Sequence, residues 1–444
     1  VKQNKKIYIE TYGCQMNFSD SEIVASILSD HGYDQTTDIK AAGIILVNTC
    51  SIREHAEDRV RKRLQLFRSY RKHHPGLVIG LLGCMADRTR KALMEEEQLL
   101  DLIAGPDSYR DLPRLLAQVE SGQRAINTIL SADETYADIT PVRIASGGIS
   151  AFISIMRGCE NFCSYCVVPT TRGQERSRDA SSVVAETAGL FRDGFREVTL
   201  LGQNVNSYQW SGANGMICFP ELLEQVAAVS PLMRIRYATS HPKDLSNELL
   251  HAMARHGNIC RSIHLPVQSG SNTVLDRMNR KYTREQYMER IEAIRNILPG
   301  CTLSTDIIAG FCGETEEDHR HTLSLMEWVG YDSAFMFKYS ERPLTLAAET
   351  MADDVDQATK DRRLKEIIDL QQKLSSASNR KDIGQVYEVL VEGISKRSPD
   401  HYFGRTTGNK VVVFPKTTTG SGNYIRVKIN RSTSATLIGE ATAG

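Results

Sequence analysis

IMRGCENFCSYCVVPTTR, residues 155–172, places Cys159, Cys163 and Cys166 in the spacing C-x3-C-x2-C, with Phe162 and Tyr165 interleaved and a basic stretch behind them. Three thiolates on one short loop hold three irons of a cubane iron–sulfur cluster and leave the fourth iron open for chemistry. Structural zinc is the first rival, but it takes four closed ligands. No His lies near enough in sequence to complete that set, although the fold can bring one. Three inert, buried thiols are the other alternative, and the company of Gly158 and charged Glu160 argues against it.

Outward from this loop, strand and helix patterns alternate. Strands are expected at 150–156, 197–203, 234–240, 262–268, 301–308 and 333–340, with apolar helix faces such as Val183, Thr187, Leu190 and Phe191 between them. Six strand–helix units predict a parallel sheet curled into a partial (β/α)6 barrel, two units short of a closed ring and open to a large substrate. The cysteine loop follows the first strand, at the end where barrel active sites sit. By the same position Gln203, Asn204, Ser240, His241, Gln268, Ser269, Asp306 and residues 340–342 are site candidates, each with a turn or cap role as its alternative.

Upstream, three predicted strands (KKIYIETY at 5–12, GIILVNT at 43–49, LVIGLLG at 77–83) are each followed at once by a cysteine: Cys14, Cys50 and Cys84. Parallel α/β sheets gather ligand sites at strand carboxyl ends, so the three thiols are expected to converge. Three thiolates again suit a cluster with one open iron. A helix over 22–32 carries Ile23, Ile27 and Leu28 on one face, and a strongly basic helix spans 53–73. The stretch 111–140 loses periodicity, and SADETYADITP reads as a linker.

Residues 356–380 read as a long charged helix, after which QVYEVLVEGIS, YFGRTTGNKVVVFP and NYIRVKI show the alternation of a small all-β barrel. Its basic residues Lys396, Arg397, Arg405, Lys410, Lys416, Arg426, Lys428 and Arg431, with aromatic Tyr402, Phe403 and Tyr424, suit single-stranded nucleic acid. Surface charge over core aromatics is the competing reading. The fold class is α/β: an N-terminal parallel-sheet domain (1–140), the partial barrel (141–380) and the β-barrel (381–444).

Composition sets limits on these readings. The chain has 444 residues, 54 basic and 54 acidic, so a nucleic-acid partner must be argued from local patches and not from net charge. No apolar run is long enough to span a bilayer, and VKQNKK lacks the apolar core of a secretory signal. Ten cysteines in a chain this long suit a reducing, cytoplasmic setting and metal ligation better than disulfides.

The C-x3-C-x2-C loop with Tyr165 before its third cysteine resembles that of the radical S-adenosylmethionine superfamily. Across the whole chain, ETYGCQMN at 10–17, VNTCSIRE at 47–54, GCENFCSYCVVP at 158–169, TSHPKD at 239–244, HLPVQSGS at 264–271 and MNRKYTREQY at 278–287 resemble the methylthiotransferases. LLGQNVNSY at 200–208 resembles their tRNA-modifying branch. Two positions depart from the family pattern: Cys312, where Pro is usual, and Leu344, where Gly is usual.

The resemblance implies two [4Fe–4S] clusters, one on the catalytic Cys159, Cys163 and Cys166 and an auxiliary one on Cys14, Cys50 and Cys84. It further implies that S-adenosylmethionine is both radical source and methyl donor, and that the C-terminal barrel is a TRAM domain. Asn204, Gln268, Ser269 and Asp306 are the candidate S-adenosylmethionine contacts, by strand-end position. The implied partners are a tRNA anticodon loop carrying N6-dimethylallyladenosine, a reductant protein such as flavodoxin or ferredoxin, and a sulfur source, with no membrane. The base would exchange an aromatic C–H for a methylthio group. Methylthiolation of a ribosomal protein or of threonylcarbamoyl-adenosine, and a non-catalytic iron–sulfur carrier, are the alternatives.

Overall fold

The computed structural model describes residues 5–50, 54–86, 99–144, 148–212 and 215–442. Ser51, Ile52 and Arg53 of the VNTCSIRE motif lie outside them, Arg53 being also the first residue of the expected basic helix. The chain divides into two compact units: residues 1–145, 154–160 and 166–182 form one, and residues 146–153, 161–165 and 183–444 the other.

In the first unit, β1 (Lys5–Thr11), β2 (Tyr33–Gln35), β3 (Ile44–Asn48), β4 (Val78–Leu82), β5 (Leu102–Ala104) and β6 (Ala125–Asn127) form one parallel sheet in the order β2-β1-β3-β4-β5-β6. Ile44 and Leu46 face the helices Gln15–Asp30 and Leu112–Glu120, while Ile45 and Val47 face the helix Glu54–His73. Burial on both faces is why β3 reads as an unbroken apolar run. The strand order reverses between β1 and β3. Open α/β sheets leave a crevice at the carboxyl end of such a switch point.

Two expectations are corrected here. The first helix begins at Gln15, not residue 22, because Cys14 serves as its N-cap and Asn17 closes the capping box. The stretch 111–140, read as lacking periodicity, contains the helix Leu112–Glu120 and β6, and SADETYADITP (131–141), read as a linker, has neither helix nor strand but is packed, with Tyr136 buried against Tyr109 and its hydroxyl donating to the Pro106 carbonyl. A short strand and one nine-residue helix give too little periodic sequence to stand out.

Also in this unit, β8 (Met156–Arg157) pairs antiparallel with β9 (Arg176–Ser177). The pair ties together the two stems of the cysteine loop. Gly158 sits at its start with φ +82°, and a Cβ there would stand 1.8 Å from the Gln174 carbonyl oxygen, so the closure demands glycine.

In the second unit, β7 (Ser150–Ser154), β10 (Glu197–Leu201) and β13 (Arg234–Ala238) form one three-stranded sheet, and β14 (Ser262–His264), β15 (Thr302–Ala309) and β16 (Ser333–Lys338) another. Their order follows the chain, the β10/β13 and β14–β16 pairings are parallel, and helices intervene. An isolated parallel bridge from Ile235 to Ile259 leads from one sheet toward the other. This is the expected partial barrel, with an added hairpin of β11 (Gln209–Gly212) and β12 (Gly215–Cys218).

The helix Gln357–Lys381 packs on β16. Beyond it, β17 (Val386–Ile394), β18 (His401–Arg405), β19 (Val411–Pro415), β20 (Tyr424–Ser432) and β21 (Leu437–Ala441) close into a five-stranded barrel around Val389, Val391, Val412, Phe414, Val427, Ile429 and Leu437.

Candidate iron–sulfur sites

Cys14, Cys50 and Cys84 follow the adjacent strands β1, β3 and β4, so the sheet brings together thiols that lie 36 and 34 residues apart. Cys14 and Cys50 flank the switch point. Gly13 lies between them with φ +123°, and a Cβ there would fall 2.5 Å from the Cys50 Cβ. The loops are fixed by amides: Asn17 accepts from the Cys14 N–H at 3.3 Å, its Nδ2 donates to Asn48 Oδ1 at 3.1 Å, and Asn48 Nδ2 donates back to the Asn17 carbonyl at 2.9 Å.

The electrostatics favour anions at this point. A hydrogen bond with Cys50 brings the Cys14 thiol down to about 6 against the cost of burial, with help from Arg172 and from the amides at the start of its helix. Burial pushes the Cys84 thiol up, opposed by Arg172. Arg172 Nε donates to Cys84 Sγ at 3.2 Å and its Nη2 to Asp20 at 2.7 Å. Asp20 also accepts from Arg157 at 2.8 Å, and Asp107 from Arg176 at 3.1 Å. Burial alone would raise the Asp20 carboxyl, but Arg157 and Arg172 hold it below the usual carboxylate range. Three buried guanidiniums, of Arg157, Arg172 and Arg176, against the buried side chains of Asp20 and Asp107 leave one positive charge on the side of the three thiols.

Among the described residues no three Cys, His, Asp or Glu side chains are gathered tightly enough for a single metal ion. Three thiolates suit a cubane, whose cysteines bind different irons and leave the fourth iron open. The buried Nη1 of Arg172 and Oγ1 of Thr49 have no hydrogen-bond partner among the described residues. They are polar groups of the kind a cluster's sulfides and ligands engage.

At the C-x3-C-x2-C loop, the Cys159 N–H donates to the Gly173 carbonyl at 3.2 Å and the Val168 N–H to Cys166 Sγ at 3.5 Å. In the second unit, Cys163 Sγ accepts from Arg280 Nη1 at 3.2 Å. Arg280 is buried, its Nη2 donates to the Pro266 carbonyl at 2.8 Å, and its guanidinium lies over the Tyr282 ring. Lys243 Nζ donates to Asn161 in the loop at 2.8 Å.

The strand-end candidates separate by what their side chains do. Gln203 Oε1, Asn204 Oδ1, Asn206 Nδ2, Ser240 Oγ and His241 Nε2 are buried and unpartnered among the described residues, all just past β10 and β13. Buried polar groups are almost always satisfied, so this cluster fits a polar ligand. Asn204 is oriented by Nδ2 donating to Asp244 at 2.7 Å. His241 Nδ1 accepts from the Lys243 N–H at 3.3 Å, which leaves the proton on Nε2. Burial, then Arg280, Lys243 and Lys281, bring His241 down to about 2, so it is neutral.

Gln268 adopts φ +70° and bonds through its backbone to Asp306. The Ser269 hydroxyl meets the Thr322 hydroxyl at 3.3 Å and accepts from the Ser271 N–H at 3.2 Å. Asp306 stays partly exposed, 3.5 Å from His264 Nε2. It shares a face of the β15/β16 pair with Phe335, 54% exposed, and Phe337, 41% exposed. Sequence reading gave no role to Asp20, Arg157, Arg172, Arg280 or these rings. Arg280 and Arg172 stood inside or beside quoted motifs, which was the available signal.

In the C-terminal barrel three residues counted toward nucleic-acid binding are engaged internally. Lys410 pairs with Asp382 at 2.8 Å, Arg405 with Glu392 at 3.1 Å, and the Tyr424 hydroxyl donates to the Leu232 carbonyl at 2.9 Å. Lys396, Arg397, Lys416, Arg426, Lys428 and Arg431 remain exposed, Lys416 over the Tyr402 ring. Leu344 takes φ +66°, the conformation that explains glycine as its usual occupant, and Cys312 packs with Phe311 and Tyr339.

Residues 6–105 match the uncharacterized protein family UPF0004, residues 153–326 the radical SAM superfamily and residues 380–442 the TRAM domain. The chain is 56% identical to the tRNA-2-methylthio-N(6)-dimethylallyladenosine synthase of Amoebophilus asiaticus, covering 98% of this chain and 92% of that protein. The chain belongs to the tRNA-2-methylthio-N(6)-dimethylallyladenosine synthase family. The synthase of Parabacteroides distasonis is 55% identical over 98% of this chain and 95% of its own.

Among solved structures the fold is similar to the radical S-adenosylmethionine methyltransferase TsrM of Kitasatospora setae (TM-score 0.58, 15% identity, 78% of this chain and 75% of that one). It is also similar to the cobalamin-dependent enzyme OxsB (TM-score 0.53, 13% identity, 83% and 56%). Membership of the radical SAM superfamily carries with it a [4Fe–4S] cluster and S-adenosylmethionine. Among the described residues no helix is long and apolar enough to cross a membrane.

Proposed function

We infer that this synthase-family chain converts N6-dimethylallyladenosine beside the tRNA anticodon to its 2-methylthio derivative, using a second cluster on Cys14, Cys50 and Cys84. The observation that carries the reading is the second thiol set, gathered around a buried guanidinium at a sheet switch point. A carrier with one redox centre has no use for it.

Bound at these sites, a reduced cluster and S-adenosylmethionine supply one-electron opening of the sulfonium, and the second cluster supplies transferable sulfur. The chain's own residues prepare each partner. Cys159, Cys163 and Cys166 ligate the radical cluster, with Arg280 on the Cys163 sulfur to offset its negative charge. Neutral His241 donates from Nε2, Ser240 offers a hydroxyl, and Asn204 Oδ1 and Gln203 Oε1 accept, a set matched to an amino-acid and nucleoside ligand. Gln268 and Asp306 stand at the neighbouring strand end.

The exposed rings of Phe335 and Phe337 suit an adenine bearing an apolar tail, since aromatic faces stack on any base. An unpaired anticodon-loop base reaches such a surface by splaying out. The exposed cations of the TRAM barrel hold the RNA backbone. The reaction needs a flavodoxin- or ferredoxin-like reductant and a sulfur source, in the cytoplasm.

The test is mass spectrometry of an anticodon stem-loop RNA carrying N6-dimethylallyladenosine after anaerobic incubation with cluster-loaded protein, reductant and S-adenosylmethionine. Gain of a methylthio group at that base is expected. Formation of 5′-deoxyadenosine with unmodified RNA would overturn the substrate.

A further inference from the structure

We propose that Arg172 is a positioning residue that sets the reduction potential of the cluster on Cys14, Cys50 and Cys84; the inference rests on the two-cluster reading above. Arg172 lies six residues beyond Cys166, at the end of the helix Val168–Arg172, so it belongs by sequence to the radical loop. In the fold it serves the other cysteine set. Its three nitrogens divide the work: Nε donates to Cys84 Sγ at 3.2 Å, Nη2 to Asp20 at 2.7 Å, and Nη1 is buried without a partner among the described residues. A residue serving only to neutralise Asp20 would present its fork to the carboxylate, as Arg commonly does. Here Asp20 takes one nitrogen and aims the other two elsewhere.

A guanidinium 3% exposed is costly to bury and is retained where its charge is matched. Asp20 is shared with Arg157, so it only partly offsets Arg172, and the remainder of the positive charge falls on the thiolates. Hydrogen bonds and positive charge at cluster sulfurs stabilise the reduced, more negative state and raise the potential. The same Nε contact fixes the Cys84 sulfur. The chain thereby ties the segment that carries Cys166 to the electronic state of the second site.

The experiment uses the full chain with Cys159, Cys163 and Cys166 all replaced by Ala, so that one cluster remains, and compares it with the same protein carrying Arg172→Gln. Iron content and the paramagnetic resonance signal report loading, and a redox titration reports the midpoint. Absence of a cluster from the triple variant overturns the two-cluster reading itself.

With the cluster present, Arg172→Gln is expected to disfavour reduction at least tenfold, a fall of about 59 mV for one electron. An unchanged midpoint overturns the proposal. If Arg172→Gln loads no cluster, Arg172→Met decides, because it also removes both the charge and the donor: a lowered midpoint supports the proposal and an unchanged one overturns it. The reciprocal background, Cys14, Cys50 and Cys84 all replaced by Ala, checks locality. An equal shift of the radical cluster there overturns the assignment to Cys84.

Discussion

Cys159, Cys163 and Cys166 are placed by one loop, whereas Cys14, Cys50 and Cys84 come from the ends of three neighbouring parallel strands. Both sets carry a buried guanidinium 3.2 Å from one sulfur, Arg280 on Cys163 and Arg172 on Cys84. The surroundings of the two cations differ. Arg172 answers to a buried carboxylate, Asp20, while Arg280 is held by the Pro266 carbonyl and the Tyr282 ring. A loop site depends on local closure, here Gly158 and the β8/β9 pair. A strand-end site depends on the whole sheet and on the charge balance beneath it.

The largest expected effect separates the two sets by product. Cys159→Ala is expected to abolish both 5′-deoxyadenosine formation and RNA methylthiolation, while Cys50→Ala abolishes only the second. Chromatography of the nucleosides checks this, and loss of 5′-deoxyadenosine in Cys50→Ala would merge the sites. Next, Asp20→Asn leaves Arg157 and Arg172 buried without their shared anion and is expected to cost about 3–5 kcal/mol, read from urea unfolding. A cost below about 1 kcal/mol would show that the sheet site does not rest on this charge balance.

Phe335→Ala is expected to raise KM for the RNA roughly tenfold, in keeping with about 1–3 kcal/mol per stacked base. It should leave 5′-deoxyadenosine formation without RNA unchanged, which distinguishes substrate binding from cluster assembly. The smallest effect concerns acid stability. The folded state keeps His241 neutral down to about 2, so below its ordinary value near 6.5 the unfolded chain binds one more proton. Stability is therefore lost as pH falls, by about 1.4 kcal/mol per unit from this residue. His241→Asn should flatten the change in urea unfolding free energy between pH 6.5 and 5.5 by about 1 kcal/mol, because the unfolded imidazole is only half protonated at the upper end, and an unchanged slope would place the acid sensitivity elsewhere.

Much of this was legible in the primary structure, for reasons that differ by region. The cysteine loop is local, so its spacing alone carried the chemistry. The β3 and β4 runs were legible because burial on both faces leaves them continuously apolar. The N-cap role of Cys14 was not, since cysteine is outside the usual capping residues. Nor was the engagement of Lys410, Arg405 and Tyr424, because exposed and paired cations look alike in a sequence.

By itself the sequence determined the ligand types, the strand–helix alternation and the family, because these rest on residue identity and short-range spacing. Only the tertiary structure decided that Arg172 serves Cys84 and not its own loop, that Asp20 anchors it, and which strand-end side chains are left without partners. Those outcomes depend on contacts between residues as far apart as Asp20 and Arg172, 152 positions in the chain. Burial turns each such contact into a large energy that no local pattern encodes.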